Sequence, residues 1–186
     1  MNTVDTPHRR RFSVDDLNQM VEVGLVGEDE SVELIDGELL VMAPESPIHS
    51  STVTDGRLLL CAAYGPSHVR EQHPIHLDVY SLPEPGLAVT VQPNKAFRTR
   101  HPTGTDCVLV IEVSRTSRYV DRKKAAHYAW GGVPEYWLVD TVNQTVTVHR
   151  EPSPKGYGFI GVFRDDHALG LPNTEESVTV DGLLSK

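Results

Sequence analysis

Glu112 stands alone among apolar neighbours in the run CVLVIEVS, a setting where an unpaired carboxylate is costly. Two readings are open. It is a strand-end glutamate reaching solvent or an arginine, or it is a ligand for Mg²⁺, which takes one or two carboxylates completed by water and phosphate oxygens. The next segment, RYVDRKKAAHYAW, carries Lys124 and Tyr128 four residues apart, on one face of a helix, with Asp121 three before Lys124 on the same face. A lysine beside a metal-held carboxylate orients the attacking water and stabilises charge on a phosphorane-like transition state. Most helix lysines, however, only solvate a surface. Lys123 lies about 100° round the helix and is the weaker candidate.

Charge is distributed unevenly around these residues. The chain of 186 residues carries a formal −9, which argues against an indiscriminate coat for nucleic acid. Yet from Lys95 to Lys124 eight basic residues, Arg98, Arg100, Arg115, Arg118 and Lys123 among them, face three acidic ones. That segment is +5 and the remainder −14. A local basic field suits an anionic ligand held in one place; a solvated basic face is the alternative. Aromatic residues are 6% of the chain, too few to suggest a stacking platform for single strands.

The elements that must hold these residues follow from the pattern. With 39% hydrophobic and 23% charged residues the chain reads as globular, a flexible leader over 1–11 followed by one domain over 12–186. The longest apolar stretch, Leu58 to Tyr64, is too short to span a bilayer, and the N-terminus lacks a secretory apolar region. Cys61 and Cys107 sit in apolar runs and read as buried, reduced thiols; the expected location is cytoplasmic. The triplet Arg9–Arg11 reads as solvated. Ser13 and Asp16 predict a capped helix to about Val23. Asp36–Gly37 between apolar runs predicts a hairpin, and Pro47 opens a helix that Gly65–Pro66 stops.

SHVREQ, PIHLDVY and LAVTVQP read as short strands, and Asn94 to Asp106 as a loop. CVLVIEVS is a central strand covered on both faces. Arg118–Trp130 is a helix closed by Gly131–Gly132. EYWLVD and Gln144–Arg150 pair as a hairpin, and GYGFIGVFR and ESVTVDG supply the last strands. Together these give an α/β chain with a mixed β-sheet flanked by helices.

The segments ELIDGELLVMAPESPIHS, PEPGLAV, LVIEVS and DRKKAAHYAWGGVPEYWLVD, in that order between about Phe12 and Arg150, resemble the Uma-two family of endonucleases. That family is built on the PD-(D/E)XK restriction-endonuclease-like fold. The resemblance implies a metal-dependent endonuclease acting on DNA, with Mg²⁺ or Mn²⁺ as cofactor. Glu33 matches the family's early glutamate beside the active site and Glu112 its central acidic residue. Ser114 replaces the lysine expected two residues after Glu112, and the lysine role maps to Lys124 on the next helix. His49 matches a frequent histidine of structural or helix-capping character.

Two departures stand out. Where the family has Pro–Asp before the LAV strand, this chain has Pro85–Gly86, and Gly86 cannot coordinate a metal. Glu84, two residues earlier, is an imperfect substitute, and Asp78 is a further carboxylate nearby. The spacing from Asp121 to Lys124 also looks one residue short, which leaves Lys123 in competition with Lys124. The expected metal ligands are Glu112, Glu33 and Glu84, with Glu112, Lys124 and Glu33 catalytic. The expected nucleic-acid contacts are Arg98, Arg100, Arg115, Arg118 and Lys123. The alternative that Gly86 raises is a catalytically inactive nucleic-acid-binding or protein-interaction module on the same fold. An unrelated α/β protein is the third reading. A homodimer is the expected assembly for a protein acting on a two-stranded substrate.

Overall fold

The computed structural model describes residues 9–27, 30–114 and 118–184, with backbone alone over 118–122. The chain starts with helix α1 (Val14–Glu22), capped as its sequence demands: the Asp16 amide donates to the Ser13 hydroxyl, and the Asp16 carboxylate accepts the Ser13 N–H in return. Strands β1 (Val32–Ile35) and β2 (Glu38–Val41) form the expected hairpin. Asp36 and Gly37 both take positive φ, 53° and 77°, as a two-residue turn of this hand requires. Helix α2 (Pro47–Tyr64) begins at its proline and ends before Gly65, at φ 81°.

A six-stranded sheet follows, in the order β3 (Val69–Glu71), β4 (Leu87–Thr90), β5 (Cys107–Ser114), β6 (Glu135–Asp140), β7 (Thr145–Ser153), β8 (Gly156–Arg164). Every pairing is antiparallel except β5 with β6. That parallel pair needs a crossover, and helix α3 (Arg118–Trp130) supplies it. Strands β9 (Ala168–Gly170) and β10 (Ser177–Thr179) pair separately, and α4 (Val180–Leu183) ends the chain.

All eight residues of β5 are buried, because both faces of the sheet are covered. Leu109, Ile111 and Val113 join Val53 and Leu60 of α2, Trp137, Val139, and Val180 and Leu183 of α4 in one cluster. Val110 joins Tyr128 of α3, Val133, Tyr136 and Ile75 in a second cluster on the opposite face. A third, smaller cluster of Leu17, Leu34 and Leu82 seats α1 and the hairpin on the segment entering β4. The hairpin is tied there by the amides of Leu82 and Gly37, which donate to the carbonyls of Leu34 (2.7 Å) and Tyr80 (2.8 Å).

Three expectations change. PIHLDVY is not a strand: its only ladder contacts are isolated bridges, His76 with Thr103 and Asp78 with Ser81. Flanking prolines remove donors, and Asp78 turns the chain by accepting the Tyr80 N–H at 2.7 Å. Arg11 is not merely solvated, since its guanidinium lies 3.9 Å from the centre of the Tyr80 ring and bonds the Asp36 carboxylate. The 94–106 segment contains two short 3-10 turns, Asn94–Phe97 and Gly104–Asp106. Cys107 is buried as expected while Cys61 is half-buried, and both are free thiols.

Asp106 pins the second of those turns. Its carboxylate accepts from Arg100 Nη1 at 2.7 Å and from the Thr103 amide at 2.8 Å. The Arg100 hydrogen bond, with help from Thr103, holds the Asp106 carboxyl at about 2, below its ordinary 3.8. A depressed carboxyl stabilises the fold above its unfolded value, and that stability is lost as pH falls through the folded one. Asp106→Asn should therefore lose the part of the acid-unfolding slope between pH 3.8 and about 2 that the parent shows. Denaturant titrations across that window check it, and an unchanged slope would contradict it.

Candidate active site

Glu112 emerges near the C-terminal end of β5 on the face that carries Tyr128. Helix α3 returns over that face, and its 3.6-residue period places Lys124 and Tyr128 one above the other. Both side chains reach the same oxygen: Lys124 Nζ lies 3.0 Å and Tyr128 Oη 2.8 Å from Glu112 Oε1. The β1–β2 hairpin delivers Glu33 from the other side. Lys124 Nζ donates to Glu33 Oε1 at 2.9 Å and pairs with Oε2 at 2.7 Å. The Glu84 amide donates to Glu33 Oε1 at 3.0 Å and fixes that carboxylate against the segment entering β4.

The ammonium thus sits between two carboxylates from elements distant in sequence. Glu33, Lys124 and Glu112 are only 2%, 4% and 8% exposed, so little water screens them. Burial alone would lower the Lys124 pKa, but Glu112 and Glu33 overcome it and raise it above its ordinary value. Lys124 is accordingly charged across the physiological range. Burial raises the Glu33 carboxyl, with Lys124 pulling the other way and Glu112 adding to the rise. Burial and the neighbouring carboxylates push the Tyr128 hydroxyl well up, so it stays protonated and donates. One ammonium thus faces two buried carboxyl groups, and burial draws Glu33 towards its neutral form.

Of the residues expected here, Glu33, Glu112 and Lys124 come together. Lys123 does not: it points outward, 3.9 Å from Glu38, so Lys124 is the lysine facing the carboxylates. Glu84 contributes its amide, and its half-buried carboxyl, raised by burial, is close enough to feel both His73 and Lys124. Asp78 is engaged in its own turn. Gly86 has no side chain to offer. A Cβ built there would find ordinary contacts, 3.4 Å from Val53, 3.5 Å from the Ile111 carbonyl and 3.8 Å from Val113. A side chain at 86 would therefore start beside the Ile111 carbonyl and between Val53 and Val113 of the first apolar cluster.

Ser46, not His49, caps the start of α2 by accepting the His49 amide, and the His49 ring faces Glu45 at 3.2 Å. Arg98 is exposed, and Arg100 is exposed but bound to Asp106. Arg115 and the side chain of Arg118 lie outside the described residues, as does that of Asp121. Tyr128 was visible on the Lys124 face, but no sequence signal marked its hydroxyl as a partner of Glu112.

Whether a divalent cation suits this site turns on donors. Both carboxylates face the Lys124 ammonium, which lies 2.7 Å from Glu33 Oε2 and 3.0 Å from Glu112 Oε1, so a cation held by them would share or take its place. Two carboxylates completed by phosphate oxygens and water is a donor set Mg²⁺ accepts. In kind the residues fit; in number they are short. Among the described residues no three His, Cys, Asp or Glu side chains are grouped to hold a metal ion.

The architecture, a six-stranded mixed sheet flanked by helices, is that of the restriction-endonuclease-like fold. A solved structure described as "a putative nuclease belonging to DUF820 from Anabaena variabilis ATCC 29413" superposes with a TM-score of 0.75 over 94% of this chain and 98% of that one, at 17% identity. The family model Uma2, described as "Putative restriction endonuclease", matches residues 14–181, and the chain belongs to that family. No curated protein sequence matches the chain significantly. Among the described residues no helix is long and apolar enough to cross a membrane.

Removing one partner of a buried ion cluster leaves an uncompensated charge. Lys124→Met should destabilise the fold by about 3–5 kcal/mol. Adding Glu33→Gln to that variant should restore part of the loss. Urea unfolding of the singles and the double checks it, and strict additivity would contradict the coupling.

Proposed function

We propose that the chain is a metal-dependent endonuclease acting on DNA, with Glu33, Glu112 and Lys124 at its reaction centre. The observation that carries this reading is the convergence of two carboxylates on one buried lysine. In this reading Glu33 and Glu112 hold Mg²⁺ or Mn²⁺, with Glu84 as a further carboxylate at the rim. The cation, when bound, supplies Lewis-acid polarisation of the scissile phosphate. The chain's own groups supply position and charge. Tyr128 Oη fixes the rotamer of Glu112 through Oε1, and the Glu84 amide does the same for Glu33. Lys124, free to exchange a carboxylate for a phosphate oxygen, orients the attacking water and offsets the charge that grows on the phosphoryl group. Arg98, Arg100 and Lys123, with Arg115 and Arg118, would face the phosphate backbone, whose contacts set affinity rather than sequence preference. A homodimer would present one such centre to each strand, and the cytoplasm, where DNA is met, is the compartment this reading assigns.

Gly86 and the near-complete burial of the three charges favour a second reading, a non-catalytic nucleic-acid-binding or protein-interaction module on the same scaffold. Nicking of supercoiled DNA with Mn²⁺ separates the two. The first reading expects slow nicking by the parent, a loss of roughly 100-fold in Lys124→Ala, and faster nicking in Gly86→Asp, whose Cβ has room. A folded parent that is inert while Gly86→Asp cleaves would establish the second. Inertness of both would remove the nuclease reading.

A further inference from the structure

Strand β8 is one edge of the six-stranded sheet, and it lacks the features that normally keep an edge from pairing. It is nine residues long, against three for β3 at the opposite edge. From Gly156 to Phe163 it has no proline and no charged residue. Its pairing with β7 keeps one register from Thr145 with Arg164 to Ser153 with Gly156, so no bulge turns the edge away. Every second residue of an edge strand directs its N–H and C=O outward. Among the described residues no hydrogen bond joins the backbone of 157–163 to any element besides β7.

On the face it shares with Leu138 and Thr147, β8 presents Ile160 and Val162, which are 61% and 58% exposed. On the opposite face the rings of Phe159 and Phe163 close over Gly161, where an added Cβ would stand 3.0 Å and 2.8 Å from them. A glycine inside a strand marks a place where another backbone can come close. The turns that bound β8 carry opposite charges, Lys155 before it and Asp165 and Asp166 after it. All three are exposed, and among the described residues none has an ion pair. The Asp181 amide donates to the Asp165 carbonyl at 3.0 Å and holds the second turn in place. Lys155 and Asp165 lie five residues to either side of Ile160. An antiparallel copy of β8 centred on Ile160 therefore sets Lys155 of each chain against Asp165 of its partner. A centre between Ile160 and Gly161 sets Lys155 against Asp166, whereas one between Phe159 and Ile160 would set it against Arg164.

We propose that β8 is the contact between two copies of this chain, paired antiparallel about a two-fold axis at or beside Ile160, so that their six-stranded sheets continue into one another. Such pairing gives the outward backbone groups of both strands a ladder partner. It lays the Ile160 and Val162 stripe of one copy against the same stripe of the other, and it forms the Lys–Asp pair twice by symmetry. A strand of unrelated sequence would meet the same edge without that charge match. The surface provides the interface for the homodimer of the nuclease reading, yet it rests on β8 alone. Solution mass judges the interface and nicking judges the nuclease, so either can fail without the other.

Sedimentation equilibrium of the full chain, without metal or DNA, tests it, and the parent should be a dimer at micromolar concentration. Ile160→Lys changes an exposed side chain and brings two ammonium groups together at the axis. It should raise the dimer dissociation constant by about tenfold or more. Lys155→Glu, in an exposed turn, should weaken the dimer by about tenfold as well, and more at low salt than at high. Leu58→Lys, at an apolar residue of α2 that is as exposed as Ile160, is the control and should leave the constant unchanged. A monomeric parent would overturn the interface, even one whose β8 edge takes up an unrelated peptide strand. A dimer that Ile160→Lys and Lys155→Glu leave as tight as the parent would overturn it too.

Discussion

One ammonium buried between two carboxylates constrains much of this molecule. Three charges removed from water cost several kcal/mol each, and only close geometry offsets that. Lys124 achieves it with distances of 2.7 to 3.0 Å to Glu33 and Glu112. To bring them there the chain must run β5 through the middle of the sheet, cross back over it with α3 and lay the β1–β2 hairpin against the entrance to β4. The two apolar clusters on the faces of β5 and the smaller one under the hairpin supply the apolar burial that makes this tolerable.

Sequence legibility tracked how local each signal is. The Ser13–Asp16 capping box, the Asp36–Gly37 turn, Pro47 at the start of α2 and the apolar β5 each depend on a few adjacent residues, and each is realised. PIHLDVY misled because its alternating pattern looks like a strand while its prolines and the Asp78 turn forbid a ladder. The three-residue strand β9 left no period to read. At the site, Glu112 was visible as a polar residue in an apolar strand and Lys124 as its helical partner. Glu33 carries no such mark: it was indicated through resemblance alone, because its partners lie 51 and 91 residues away along the chain, at Glu84 and Lys124. The Lys123 or Lys124 ambiguity was a question of helix phase, which only the packing of α3 decides.

The basic segment also divides once it is folded. Arg100 is committed to Asp106, whereas Arg70, on the other side of the same loop and outside the segment that looked basic in sequence, is left without an ion pair among the described residues. Linear charge counts therefore do not tell a guanidinium committed to a carboxylate from one without an ion pair. The Gly86 carbonyl accepts the Gln72 amide and fixes the turn before His73.

The most direct test of the central claim is a calorimetric titration of Mn²⁺ into the parent and into Glu112→Ala. A single saturable binding event in the parent that disappears in the folded variant is the predicted result, and shows that Glu33 and Glu112 still assemble a cation site without a carboxylate at 86. No binding in the parent, or binding that survives Glu112→Ala, would contradict it.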